Sequence, residues 1–165
     1  MKPHLEKAHQ FWKEFLKTDD HVIDATCGNG KDTAVLASIV KEGHVYAIDI
    51  QKDALDKART YVQASNVSFL HRCHTDLPKD EKVRLIIYNL GYLPGGNKQI
   101  TSQGDTTLES VSKALNLLPL GGALSITCYP GHEEGAREEK ALVSWSKTVP
   151  HQVSGQPGNL VLRRY

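Results

Sequence analysis

Four short stretches carry residue types that could do chemistry. Asp24-Ala25-Thr26-Cys27-Gly28-Asn29-Gly30 has the spacing Asp-x-x-x-Gly-x-Gly and runs on into Lys31-Asp32-Thr33. Glycines separated by one residue let a chain turn sharply and bring its backbone amides against a ligand, with no Cβ atoms in the way. Asp49 closes the run His44-Val45-Tyr46-Ala47-Ile48, where a carboxylate can accept both hydroxyls of a ribose. Asn89-Leu90-Gly91-Tyr92 closes another apolar run. The Asn89 side-chain oxygen and the Leu90 carbonyl can accept the hydrogens of an amine, so that its lone pair points at an electrophile, while Tyr92 packs on a base. His132 follows a further run and is the candidate general base, because imidazole titrates near working pH.

These residues need elements that bring them to one edge. Short β-rich runs alternate with longer helical stretches, which predicts parallel βαβ units. Strands are expected over Val22–Thr26, His44–Asp49, Val67–His71, Val83–Leu90 and Ala123–Tyr129. Helices are expected over Glu6–Leu16, Lys31–Val40, Asp53–Ala64, Thr106–Leu118 and Glu133–Lys147, with Glu42-Gly43 supplying a glycine cap to the second. Val149–Ser154 and Leu160–Arg164 flank Gly155-Gln156-Pro157-Gly158-Asn159 and suggest a terminal antiparallel hairpin. The expected fold class is α/β, a single Rossmann-like domain over 1–165 with a mostly parallel seven-stranded sheet and helices on both faces. In that fold the glycine turn, Asp49 and Asn89 all fall at the carboxyl ends of strands, around a nucleoside-binding crevice.

Two cofactor classes use such a crevice. The dinucleotide fingerprint wants a third small residue, Gly-x-Gly-x-x-Gly, and that place holds Thr33, preceded by Asp32. An acid at the mouth of a helix suits a doubly negative pyrophosphate poorly, yet is tolerable beside the sulfonium and ammonium of S-adenosylmethionine (SAM). Asp24 can support that ammonium directly or through water. The signs of charge favour SAM, and with it a class I SAM-dependent methyltransferase.

Composition sets outer limits. The chain has 165 residues, 39% of them apolar and 24% charged, with a formal net charge of +1. No run approaches the roughly 20 apolar residues that span a bilayer, and the start lacks an apolar signal core. A cytoplasmic protein with no membrane partner is expected. Cys27, Cys73 and Cys128 show no CxxC spacing, so reduced core-lining thiols are expected and no metal site. Near-neutral charge leaves any RNA contact to local groups: Lys2, His4, Lys98, Arg163 and Arg164 could touch phosphates.

Longer blocks make the pattern specific. Ile23–Thr33, Asp49-Ile50-Gln51, Asn89-Leu90-Gly91-Tyr92-Leu93-Pro94-Gly95-Gly96 and Tyr129-Pro130-Gly131-His132-Glu133-Glu134-Gly135 stand in this order. The series resembles the MnmM (YtqB-like) methyltransferases, long labelled rRNA methylases, over nearly the whole chain. The resemblance implies methyl transfer from SAM to the amine of 5-aminomethyl-2-thiouridine at the wobble position, with tRNA, through its anticodon stem-loop, as partner. It implies cofactor contacts from Asp24, Thr26, Gly28, Asn29, Gly30, Asp32, Thr33, Asp49, Ile50 and Gln51, with His74 where this fold commonly meets adenine. Asn89, Leu90, Tyr92 and His132 would serve catalysis, and Tyr92, Tyr129 and His132 the substrate. A homodimer would double the surface offered to RNA. The family's usual Asn-Gln-x-Asn-x-Pro-Pro segment is replaced here by Gly155-Gln156-Pro157-Gly158-Asn159. Other readings remain open at this point: an rRNA or small-molecule amine methyltransferase, a SAM-binding protein without catalysis, or a nicotinamide oxidoreductase.

Overall fold

The computed structural model describes residues 3–90, 104–129, 133–149, 152–156 and 159–164. Strands β1 (His21–Asp24), β2 (His44–Asp49), β3 (Val67–His71), β4 (Val83–Asn89), β5 (Ala123–Thr127), β6 (Gln152–Gln156) and β7 (Asn159–Arg163) alternate with helices α1 (Pro3–Phe15), α2 (Lys31–Ile39), α3 (Lys52–Tyr61), α4 (Gly104–Leu117) and α5 (Glu133–Ser146). The described residues build a seven-stranded sheet in the order β3-β2-β1-β4-β5-β7-β6. The first five strands are parallel; β7 lies antiparallel to β5, and β6 antiparallel to β7. The expected α/β class and the terminal hairpin are both present.

Residues that alternate along each strand feed two cores. On one face, Ile23, Ile48, Ile86, Leu124 and Ile126 pack with Val111, Leu115 and Leu118 at α4 and Leu142 of α5. On the other, Val22, Val45, Leu85 and Ile87 meet Ala8 and Trp12 of α1 and Leu36 of α2. Leu55 and Ala58 bring α3 onto that same face at Ala47. With both faces covered, the middle strands are near-continuous apolar runs rather than alternating ones. Trp12 is buried, and its indole N–H donates to the Ser125 hydroxyl at 3.1 Å, which removes the cost of an unpaired donor in the core. That bond pins α1 across the sheet.

Three expectations need correcting. Gly43 is not a left-handed cap: α2 ends with the Val40 N–H on the Leu36 carbonyl, and among the described residues the positive-φ glycines are Gly28, Gly30 and Gly121. Gly43 is glycine for lack of room, because a Cβ there would stand 1.9 Å from the Asp20 carbonyl oxygen. Helix α3 stops at Tyr61 instead of Ala64, with Val62 already extended at φ −87°, ψ 103°. Its side chain packs towards Gly30, a tertiary contact that outweighs three more residues of helix. Arg163 and Arg164, read as phosphate contacts, have structural partners. Arg164 donates to the carbonyls of Asn116 and Leu118 at the end of α4, and Arg163 lies 5.1 Å from the centre of the Phe15 ring. Lys2, Lys98 and the His4 side chain lie outside the described residues.

Among the described residues no helix is long and apolar enough to cross a membrane. No cluster of potential metal ligands occurs among them either. All three cysteines are free thiols; Cys27 and Cys128 are buried and Cys73 is half-buried.

Gly43→Ala tests the close approach between the second-strand turn and Asp20. Forcing a methyl against a backbone oxygen is expected to cost about 1–3 kcal/mol, as for other overpacked sites. A urea midpoint unchanged from the parent would contradict it.

Candidate active site

After β1 the chain builds outward through β2 and β3, then crosses to the other side for β4 and β5. Strand order therefore reverses between β1 and β4, and a crevice opens at their carboxyl ends. The turn after β1 is tied to both neighbours: the Ala25 N–H donates to the Ile87 carbonyl at 2.9 Å, and the Cys27 N–H to Ile48 at 2.8 Å. Gly28 and Gly30 take φ of +55° and +90°, a region costly for residues with a Cβ. Gly30 is doubly constrained, since a Cβ would lie 2.9 Å from that of Ala58 on α3. Asn29 is exposed on the turn between them, and α2 begins directly afterwards.

Asp49 faces this turn. One carboxylate oxygen accepts the Gly28 N–H at 2.8 Å and the other the Gln51 N–H at 2.8 Å. Each oxygen keeps a lone pair, so the carboxylate is oriented in advance and can still accept hydroxyls. Beside it Gln51 is half-buried and Ile50 is 52% exposed, an apolar side chain at the lip.

Asp24 sits beneath the turn with no exposure at all. It accepts the Thr33 hydroxyl at 2.6 Å and the Thr26 N–H at 3.2 Å. Burial, then the charge of Asp32, pushes its carboxyl up to about 7, while the Thr33 and Thr26 hydrogen bonds hold it down and Asp49 adds a smaller repulsion. Its side chain therefore braces the turn from within, rather than opening onto the crevice as the sequence suggested it could. Thr33, at the position a dinucleotide site gives to a third glycine, is itself buried and committed to Asp24.

Asn89 joins this assembly at the end of β4. Its backbone N–H donates to the Thr26 hydroxyl oxygen at 2.6 Å. Its side-chain Nδ2 donates to Asp32 Oδ2 at 2.8 Å, and Asp32 Oδ1 lies 2.9 Å from His9 Nε2. The remaining atom, Asn89 Oδ1, is buried without a hydrogen-bond partner among the described residues. Tyr129 is half-buried just beyond β5. Burial raises its phenol, a hydrogen bond from Asn89 works against that, and Asp32 adds repulsion. Leu90 is buried, with its N–H on the Thr127 carbonyl at 2.9 Å.

His74 lies beyond β3, 9% exposed, with its ring edge-on to Tyr88 at 5.8 Å. Burial lowers its pKa, which favours neutral imidazole, and Nδ1 has no partner among the described residues. Tyr92 and His132 lie outside the described residues. The sequence reading missed His9: it stands on α1, 23 residues from Asp32, and no local spacing links the two.

Comparisons with known proteins support the same fold. Residues 45–155 match the family described as "Putative rRNA methylase". The chain belongs to this family. A family of protein-L-isoaspartate(D-aspartate) O-methyltransferases matches residues 2–79, the part that holds the glycine turn and Asp49. The chain is 38% identical, over 162 residues and 88% of its length, to "tRNA (mnm(5)s(2)U34)-methyltransferase, chloroplastic" of Arabidopsis thaliana. It spans 59% of that relative's length. Among solved structures, a "putative rRNA-methylase" from Clostridium thermocellum is 32% identical, with a TM-score of 0.84 over 98% of this chain and 96% of that one. A "putative methyltransferase" from Streptococcus mutans, in complex with SAH, is 30% identical, with a TM-score of 0.80 over 98% and 97%.

The raised Asp24 carboxyl gives a pH signature. An unfolded aspartate titrates near 3.9, so between about 4 and 7 the folded protein binds the extra proton and stability falls as pH rises. Asp24→Asn removes that loss. The variant's melting temperature relative to the parent should therefore be more favourable at pH 8 than at pH 5. A difference independent of pH would show that Asp24 does not titrate in this window.

Proposed function

We propose that the chain transfers a methyl group from SAM to the primary amine of 5-aminomethyl-2-thiouridine at the tRNA wobble position, giving 5-methylaminomethyl-2-thiouridine. The observation that carries this reading is the buried, unpartnered Asn89 Oδ1 at the crevice edge. A buried acceptor with no donor costs stability unless something fills it, and an amine N–H is the matching donor. The name of the Arabidopsis thaliana relative, which specifies a modified uridine at position 34 of tRNA, supports the same choice.

The residues present fit the cofactor. Asp32 and Asp49 flank the glycine turn above the buried Asp24, charges suited to a cation and adverse to a pyrophosphate. When bound, SAM supplies a methyl group made electrophilic by its sulfonium. Asp49 is poised to hold ribose hydroxyls, and the backbone at Gly28 and Gly30 allows close approach. Ile50 and His74 would flank the base, with the buried Nδ1 of His74 available for one polar contact. Thr26, Asn29, Thr33 and Gln51 shape the turn around it.

On the substrate side, a primary alkylamine titrates near about 10.4 if lysine is a guide. It must shed a proton before it can attack. Asn89 Oδ1 accepts one remaining N–H and so aims the lone pair; orientation of this kind supplies much of the rate in a two-reactant transfer. Leu90, Tyr92 and Tyr129 are the residues assigned to receive the base. His132 takes the released proton. The anticodon stem-loop is the part of tRNA presented, and a second copy of the chain extends the surface that holds it.

Two measurements test this. Mass spectrometry of wobble nucleosides from cells lacking the gene should show the aminomethyl form accumulating at the expense of the methylaminomethyl form; an unchanged ratio, with loss of a methyl group in rRNA, would favour the activity named in the family description. For Asn89→Ala, kcat should fall by about 100-fold, the order expected when a reacting group is misplaced, while SAM affinity stays within about 3-fold. Equal losses in both would remove Asn89 from the reacting centre.

A further inference from the structure

An amide side chain has nearly the same shape whichever way it is turned, so its neighbours decide whether oxygen or NH2 faces a given side. Behind Asn89 that decision is made by Asp32. An ionised carboxylate only accepts hydrogen bonds, so the 2.8 Å contact with Asp32 Oδ2 must be made by Asn89 Nδ2, which leaves Oδ1 as the buried atom without a partner. The reversed amide would set acceptor against acceptor at Asp32. It would also turn N–H groups towards the incoming amine, donor against donor.

Asp32 is fixed in its turn. His9 Nε2 lies 2.9 Å from Asp32 Oδ1, with side-chain exposures of 12% and 11%, so this contact is largely removed from solvent screening. The His9 ring packs on Trp12 at 4.8 Å, and Trp12 is the residue that anchors α1 to the sheet through Ser125. An unbroken line of contacts thus runs from the α1 core to the amide at the end of β4.

We infer that Asp32 and His9 are positioning residues that set the polarity of the Asn89 amide, so that its oxygen and not its NH2 group faces the substrate amine. This rests on the amine-methylation reading above. It also separates two tasks for Asp32. A cofactor contact would show in SAM binding, whereas orientation of Asn89 shows in turnover.

The test is a double-mutant cycle on the full chain, with steady-state kinetics on unmethylated substrate tRNA. Asp32→Ala alone should lower kcat by about 10- to 100-fold, the range set by losing a charge-assisted hydrogen bond, while the loss of its charge beside the cofactor reads out separately in KM for SAM. His9→Ala, one step further back, should lose less, about 3- to 10-fold. In an Asn89→Ala background either change should alter kcat by less than about 2-fold, because residues acting through one group are not additive. Should Asp32→Ala fail to fold, the His9→Ala cycle carries the same test. Losses that multiply with Asn89→Ala overturn the inference but leave the methylation reading standing, as does a raised KM for SAM with kcat intact. If Asn89→Ala itself leaves kcat unchanged, the reading of the amine site falls and the inference falls with it.

Discussion

The site depends on a short hydrogen bond across the point where strand order reverses. The Asn89 N–H donates to the Thr26 hydroxyl at 2.6 Å, tying the end of β4 to the turn after β1. On one side of that bond lies everything that suits a nucleoside: the left-handed glycines, Asp49 with both oxygens pre-oriented, and the start of α2. On the other lies the amide offered to a substrate. A transfer between two bound partners is sensitive to small displacements, so the two halves must move as one body. Parallel pairing of β1 with both β2 and β4 supplies the rest of that rigidity.

Negative charge is the second theme. Three carboxylates gathered around one turn repel one another, and Asp24 is raised first by its burial and then by the charge of Asp32. The fold keeps them there by giving each a fixed set of donors: Thr33 and the Thr26 N–H for Asp24, backbone amides for Asp49, His9 and Asn89 for Asp32. An arrangement that is strained without a ligand and eased by a cation is what a sulfonium cofactor would use.

Much of the frame could be read in the sequence, and the reasons are physical. Strands β2 and β3 fall where expected because their apolar runs are bounded by polar or glycine-containing turns, and the central strands are apolar on both faces. What escaped was tertiary. The end of α3 is decided by packing of Val62 near Gly30, and Gly43 by the Asp20 carbonyl, neither of which leaves a local pattern. Arg163 and Arg164 looked like free cations until the hairpin brought them to Phe15 and to the end of α4. At the site, the glycine turn, Asp49 and Asn89 were visible because each ends a strand. His9 was not, because only the crossing of α1 over the sheet brings it to Asp32.

The central claim is that the Asn89 oxygen faces the atom from which the methyl departs. A crystal structure of the chain with SAH measures this as the distance from Asn89 Oδ1 to the cofactor sulfur. A hydrogen bond of about 3 Å and an attack distance of roughly 3 Å to the methyl carbon, meeting at a near-tetrahedral nitrogen, with the carbon–sulfur bond beyond, predict about 6–7 Å. A sulfur more than about 10 Å away, or the Asn89 NH2 group turned towards it, would contradict the account.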